Sequence, residues 1–86
     1  ESRRRVIHLF GRNGEEYRFY KKMKDLLEEI SHTGNMFIRV HCSYVVNYYY
    51  IKSLSSTEAE LLTGEKLPVS GEYKNEALKK FMGMME

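Results

Sequence analysis

The chain has 86 residues, enough for one small domain, and its 42% hydrophobic and 13% aromatic contents suit a soluble protein with a packed core. A net charge of +2 does not by itself indicate a polyanionic partner, and no apolar stretch reaches the roughly 20 residues of a membrane helix. The charged N-terminus is unlike a signal peptide and the single cysteine excludes a disulfide framework, so we expect a cytoplasmic protein.

The N-terminal part of the chain predicts a β-hairpin. Two runs rich in β-branched and aromatic residues, at positions 4–10 and 15–20, flank a Gly/Asn turn at positions 11–14. On the second run Tyr17 and Phe19 alternate with polar neighbours. This alternation predicts that one face of the second strand is apolar.

The middle of the chain changes its hydrophobic period twice. Apolar side chains recur at helical spacing over residues 23–30, and Gly34 suits the end of that helix. Residues 36–41 then predict a strand. Residues 43–47 are short enough to predict a single helical turn, which Ser43 would cap.

The C-terminal part predicts strands followed by a helix. The strands are expected at residues 50–54, 59–63 and 66–70, and Pro68 places the last of them at a sheet edge. A helix is expected over residues 72–85. Its apolar stripe comprises Tyr73, Ala77, Leu78, Phe81 and Met82.

The charge is unevenly distributed along the chain. Residues 1–57 hold ten Lys and Arg against six acidic residues, whereas residues 58–86 hold four against six. A phosphate-binding face would therefore draw mostly on the first two-thirds of the chain. The alternative is two unevenly charged, solvated surfaces.

Residues that could carry catalysis or bind a metal do not form a recognisable pattern. His8, His32 and His41 have no partners at metal-ligand spacing, and we expect them to be structural or solvated. His41 and Cys42 are adjacent, so on a strand they would point to opposite faces and could meet only if the chain turned there. The glycine-containing turns also lack a phosphate-loop pattern. We expect no metal, no cofactor and no enzymatic activity.

Two stretches of the chain carry distinctive combinations of residues. Residues 36–47, MFIRVHCSYVVN, contain Phe, Arg, His, Ser, an aromatic residue, two aliphatic residues and Asn in that order. Residues 67–70, LPVS, are followed by Tyr73. Both stretches resemble motifs of the LytTR-type DNA-binding domains of bacterial response regulators, and the helix at residues 23–30 resembles the Leu-rich helix that precedes the first motif in that family. The resemblance covers nearly the whole chain.

The resemblance implies a mainly β, multi-sheet fold with short helices, as one domain over residues 1–86. Because the family's domain usually begins with additional strands, we expect this chain to be N-terminally truncated, with a receiver domain upstream in the full-length protein. The implied function is sequence-specific binding of duplex DNA, with loops entering successive major grooves. The implied partner is double-stranded DNA carrying direct repeats, bound by a homodimer.

The family's DNA contacts can be transferred to positions of this chain. The expected contact residues are Arg3, Arg4, Arg5, Cys42, Ser43, Ser70, Gly71 and Lys74. Two of them depart from the family's pattern, because Cys42 stands where Arg or Asn is common and Gly71 stands where Arg is common. Each lost bidentate base contact would remove about 1–3 kcal/mol of discrimination.

These departures leave alternatives open. One is a protein-interaction or self-association module on the same scaffold, and another is weak binding that depends on DNA shape. In the resemblance, His41 and Asn47 are expected to fix the turn that presents residues 42 and 43. The tyrosines at positions 48–50 could stack on bases, but we favour a strand in which they alternate between core and surface.

Overall fold

A computed structural model of the chain describes residues 5–31 and 36–84. Within these two stretches the chain forms seven strands, two α-helices and one short 3₁₀ helix at Tyr48–Tyr50. The strands are β1 (Arg5–Phe10), β2 (Glu16–Lys21), β3 (Phe37–His41), β4 (Tyr44–Asn47), β5 (Ile51–Leu54), β6 (Glu58–Leu61) and β7 (Lys66–Pro68). The α-helices are α1 (Met23–Ser31) and α2 (Lys74–Met84). The expectation of a mainly β fold with short helices is confirmed.

The strands form two sheets. Sheet A has the order β2-β1-β4-β3, and sheet B has the order β5-β6-β7. The predicted hairpin of β1 and β2 is confirmed, because Gly14 has a φ of 87° and the Gly11 N–H donates to the Glu15 carbonyl at 2.8 Å. Glycine adopts a positive φ at little cost, and this fixes the turn. β1 then pairs in parallel with β4, which follows it by more than thirty residues.

Sheet A lies between two apolar clusters because side chains alternate along its strands. On one face Ile7, Leu9 and Val45 pack with Leu26 of α1. On the opposite face, side chains of sheet A pack against side chains of sheet B and α2. Sheet A contributes Phe10, Ile38, Val40 and Val46 to this second cluster, sheet B contributes Leu61 and Leu67, and α2 contributes Ala77. The central strands of sheet A are therefore buried on both faces, and they hold the turns at their ends in place.

The prediction of a helical turn at residues 43–47 is wrong. Four of these residues form β4, which lies between β1 and β3. Val45 and Val46 are both fully buried, one in each cluster, as expected for a β-branched central strand. The strand predicted through the three tyrosines is wrong as well, because Tyr48–Tyr50 is the 3₁₀ helix. Tyr50 is buried and Tyr49 is exposed.

Several smaller expectations are corrected by exposure. The face of β2 that carries Tyr17 and Phe19 is only partly buried, since Tyr17 is 49% exposed and Phe19 is half-buried against the cluster on the α1 side of sheet A. On α2, Ala77 is buried but Met82 is 63% exposed, so the predicted stripe is too wide. The edge position of Pro68 in β7 is confirmed. Helix α1 is confirmed, while Gly34 lies outside the described residues. Neither helix in the described parts is long and apolar enough to span a membrane.

Asn47 is the buried polar residue at the junction of the two sheets. Its side-chain Oδ1 accepts from the Tyr49 N–H at 2.9 Å and so caps the 3₁₀ helix. Replacing Asn47 by Ala would leave that N–H without its partner, and we expect a loss of about 1–2 kcal/mol in the free energy of unfolding. Urea unfolding followed by circular dichroism would measure it. Asn75→Ala, at an exposed position of α2, should change stability by less than about 0.5 kcal/mol. Equal losses in the two variants would contradict the capping role.

Candidate nucleic-acid interface

The turn at Cys42 and Ser43 joins β3 to β4 at one end of sheet A. His41, the last residue of β3, holds it: the His41 Nδ1 accepts from the Ser43 N–H at 3.1 Å. The His41 ring also lies 5.4 Å from the Tyr44 ring. The expectation that His41 fixes this turn is confirmed. The same expectation for Asn47 is wrong, because Asn47 caps the 3₁₀ helix at the other end of β4.

Because the chain turns after β3, the side chains of His41 and Cys42 do meet. The Cys42 Sγ lies 3.6 Å from the His41 Nδ1 and 3.9 Å from the Ser43 Oγ. The Nδ1 atom that would act as a base toward the thiol is the same atom that accepts from the Ser43 N–H. A histidine occupied in this way orients the backbone of the turn. The contact therefore accounts for the shape of the turn without a catalytic role.

A second segment lies beside this turn. The Ser70 N–H donates to the Val40 carbonyl at 2.8 Å, which fastens the residues after β7 to the end of β3. Ser70 then shapes a turn of its own, since its Oγ accepts from the Glu72 N–H at 3.2 Å. Helix α2 starts at Lys74, directly after this turn. Its predicted start at residue 72 is therefore wrong, because residues 71–73 form the turn.

Gly71 has an open position at the tip of this second segment. It is exposed, and a Cβ built on it would meet nothing within 4 Å. Its backbone φ does not lie in the left-handed region, so any side chain is compatible with the conformation. The absence of a side chain at position 71 is therefore not a requirement of the fold.

The beginning of β1 lies at the same end of sheet A. His8 is paired with Tyr44, and the His8 N–H donates to the Ser43 carbonyl at 2.7 Å. Because β1 and β4 are parallel, residues before His8 run past the Cys42–Ser43 turn. Arg5 is three residues earlier, about 10 Å along the strand. Arg3, Arg4 and the side chain of Arg5 lie outside the described residues.

The structure thus brings the described parts of the expected contact set together. We call this region the loop end: the start of β1 at Arg5, the Cys42–Ser43 turn, and residues 70–74. Lys21 and Lys22 lie there too, since Lys21 is the partner of Arg5 in the hairpin. These two lysines are not among the contact residues expected from the sequence, although the hairpin register set by the turn at residues 11–14 places Lys21 opposite Arg5. The Lys21 Nζ lies 2.9 Å from the Glu29 Oε2.

Arg39, the arginine of the first motif, is bound between Tyr73 of the loop end and Glu76 of α2. Its Nη2 donates to the Glu76 Oε1 at 2.9 Å, and its guanidinium lies 4.2 Å from the centre of the Tyr73 ring. Arg39 therefore ties β3 to the start of α2. Its Nε is buried without a hydrogen-bond partner among the described residues. The adjoining cleft, of about 70 Å³, is large enough to admit a water molecule.

His8 has a structural partner. Its Nδ1 lies 2.6 Å from the Glu16 Oε2, and the hydrogen bond from His8 lowers the pKa of Glu16 from its ordinary value. Arg18 lowers that pKa further. The structural role expected of His8 is confirmed, whereas His32 lies outside the described residues. In the described portion of the chain, no group of three or more His, Cys, Asp or Glu residues is placed to hold a metal ion.

Comparison with known proteins agrees with the two motifs and the mainly β fold. The family model of the LytTr DNA-binding domain matches residues 1–82. No curated protein and no solved structure matches the chain. Because the family model covers both motifs and all but the last few residues, the chain belongs to the LytTr DNA-binding domain family.

Proposed function

We propose that this domain binds duplex DNA sequence-specifically through its loop end, as the output domain of a bacterial transcription regulator. The observation that carries the proposal is the proximity of the Cys42–Ser43 turn and residues 70–74, linked by the hydrogen bond between Ser70 and Val40. A major groove about 12 Å wide admits a two-stranded β-ribbon, and in the proposal these two adjacent segments enter it in a similar way. A recognition helix is not required for this mode of binding.

The residues at the loop end divide into two chemical roles. Arg3, Arg4, Arg5 and Lys74 supply positive charge to hold phosphates and set the position on the duplex. Hydroxyl groups supply base contacts: the Ser70 Oγ accepts from the Glu72 N–H, so its own O–H is available to donate. Ser43 provides a second hydroxyl. Cys42 and Gly71 contribute only a thiol and backbone groups, which limits base readout at those two positions.

One copy of the domain covers a limited length of DNA. The described residues extend 30 Å along their longest axis, whereas successive major grooves on one face are about 34 Å apart. In the proposal, the two segments at residues 42–43 and 70–74 share one groove, because the Ser70–Val40 hydrogen bond holds them side by side. In the proposal, the arginines before β1 reach the phosphates toward the next groove. Direct repeats would accommodate one copy per repeat.

The wider context is part of the proposal. A domain of a DNA-binding family acts where the chromosome is, so we place it in the bacterial cytoplasm. We also propose that the full-length protein carries an upstream receiver domain, that residues 1–86 form one output domain, and that this domain performs no catalysis. The family resemblance supports this context, and the residues immediately upstream of Glu1 would test it directly.

Fluorescence anisotropy with a direct-repeat promoter duplex tests the DNA-binding proposal. With about four phosphate contacts, the logarithm of the affinity should fall with the logarithm of the salt concentration at a slope near −3.6. Lys74→Ala should reduce the steepness of that slope by about 0.9. The matched control Lys79→Ala, at an exposed site about 7.5 Å further along α2, should leave it unchanged.

Two results would count against the proposal. No binding at about 50 mM salt would contradict DNA binding altogether. Equal displacement by an unrelated duplex would contradict sequence specificity and favour binding that depends on DNA shape. The second candidate function is self-association, which is favoured by the position of β2 at the edge of sheet A.

A further inference from the structure

Strand β2 has a neighbour on only one side in the described part of the chain. Sheet A begins with β2, which pairs with β1 over all six of its residues. The strand contains no proline. Five of its six residues are charged or carry a tyrosine hydroxyl, namely Glu16, Tyr17, Arg18, Tyr20 and Lys21. An unpaired edge of this length presents a row of backbone donors and acceptors that can pair with another strand.

The hydrogen bonds of the hairpin show which residues of β2 face that edge. The Gly11 N–H donates to the Glu15 carbonyl, so Gly11 and Glu15 form a hydrogen-bonded pair. Hydrogen-bonded and non-hydrogen-bonded pairs alternate along an antiparallel ladder. His8, the partner of Arg18, directs its N–H to Ser43 of the other neighbouring strand, which agrees with this alternation. The backbone groups that face outward are therefore those of Glu16, Arg18 and Tyr20.

One two-fold arrangement of two such edges brings complementary side chains together. When the two-fold axis passes beside Phe19, Phe19 of one copy lies opposite Phe19 of the other, at a non-hydrogen-bonded position of the ladder. Arg18 then lies opposite Tyr20 of the second copy, and Glu16 lies opposite Lys22. The outward backbone groups of Arg18 and Tyr20 face each other, as the ladder requires. Aromatic and opposite-charge pairs each stabilise an antiparallel ladder by about 0.2–1 kcal/mol, and an exposed cation–aromatic contact contributes about 0.5–1 kcal/mol.

The other two-fold arrangements are less favourable. A centre on Arg18 places two guanidinium groups directly opposite each other, and a centre on Tyr20 places Arg18 opposite Lys22. Both put like charges together, which destabilises a ladder. A centre on Tyr17 places Glu16 opposite Arg18 of the second copy, but it extends the pairing into Gly14, whose φ of 87° is not extended backbone. The charges on β2 and the conformation of the hairpin turn together therefore favour the register centred on Phe19.

We propose that this chain forms a homodimer in which β2 pairs antiparallel with β2 of a second copy, with Phe19 at the two-fold axis. The proposal specifies the surface for the self-association candidate and does not depend on DNA binding. The outward-facing part of β2 is accessible, because the Arg18 side chain is 70% exposed and Tyr20 is 69% exposed. Helix α1 contacts β2 on the face that carries Phe19 and Lys21.

The dimer has a consequence for the loop ends. In an antiparallel pair, the end of β2 near Lys21 in one copy lies beside the end near Glu16 in the other. Because Lys21 is the partner of Arg5, the two loop ends are directed away from each other. One straight duplex therefore cannot contact both loop ends of a β2 dimer. Binding to direct repeats uses separate copies, so the dimer and the repeat-bound state are distinguishable.

Cross-linking tests the register directly. In a Cys42→Ser background, Phe19→Cys places two Cα atoms about 4.5 Å apart across the dimer axis, within the range that a disulfide spans. Tyr17→Cys, on the same face of β2, places them about 14 Å apart, which is too far. We expect mild oxidation to give a covalent dimer with Phe19→Cys and little with Tyr17→Cys. The reverse pattern, or equal yields, would overturn the register.

Sedimentation velocity of the unmodified chain tests the association itself. We expect a dimer whose population rises with protein concentration, and a monomer alone at up to about 1 mM would overturn the proposal. Arg18→Pro removes an outward N–H without removing a bond to β1, so it should give a folded monomer by circular dichroism. If Arg18→Pro still dimerises, the β2 edge is not the interface. Anisotropy with duplex DNA, measured on the same variant, separates a failure of dimerisation from a failure of DNA binding.

Discussion

Replacing Arg3, Arg4 and Arg5 together with Ala is expected to weaken duplex binding by about 10²–10³-fold at roughly 0.1 M salt. Each phosphate contact contributes about 0.9 to the steepness of the salt dependence, so three lost contacts should make the slope shallower by about 2.7. Arg3 and Arg4 directly precede Arg5 in the sequence, and Arg5 begins β1, the strand that pairs with β4 next to the Cys42–Ser43 turn. A salt titration followed by fluorescence anisotropy measures both the affinity and the slope.

The matched control is Arg12→Ala, at the opposite end of β1. Arg12 lies in the hairpin turn, 4.7 Å from the centre of the Tyr49 ring, so it is far from the loop end. We expect its removal to leave the salt slope unchanged. A triple variant that lost affinity at an unchanged slope would show that the three arginines do not contact phosphates. An equal effect of Arg12→Ala would show that overall charge, rather than the loop end, governs binding.

The parts of the fold that the sequence predicts correctly are those with local signals. The hairpin depends on a glycine-containing turn between two adjacent runs, and helix α1 depends on a period within nine residues. Strand β4 has no such signal, because residues 43–47 are equally compatible with a helical turn. Its extended conformation is set by pairing with β1, far away in the sequence. A short apolar run of this kind takes its conformation from its neighbours.

The candidate site divides in the same way. The two motifs predict the turn at Cys42–Ser43 and the segment around Ser70, but no pattern predicts that Ser70 is bonded to Val40. The inward position of Arg39 is also set by Glu76, 37 residues away. Lys21 and Lys22 were overlooked because their place at the loop end depends on the hairpin register. Contacts between distant segments therefore decide which of the charged side chains lie at the loop end.

Replacing Ile38 with Ala is expected to reduce the free energy of unfolding by about 2–5 kcal/mol. Ile38 is 0% exposed and lies in the cluster that joins sheet A to sheet B, paired with Val46 of β4. Its truncation leaves a cavity between the sheets that close packing cannot fill. The total free energy of unfolding of a small domain is about 5–15 kcal/mol, so the expected loss is a large fraction of it. At about 4–8 °C per kcal/mol, the melting temperature should fall by at least about 8 °C.

Two controls decide whether packing between the sheets is the cause. Ile38→Val removes one methylene and should cost about 0.5–1.5 kcal/mol. Leu62→Ala, at a side chain that is 58% exposed, should cost less than about 0.5 kcal/mol. Equal losses for Leu62→Ala and Ile38→Ala would contradict the core described above.

Because Ile38 and His41 share strand β3, loosening this cluster also loosens the support of the Cys42–Ser43 turn. We therefore expect Ile38→Ala to weaken DNA binding at temperatures below its own unfolding transition, whereas Leu62→Ala should not.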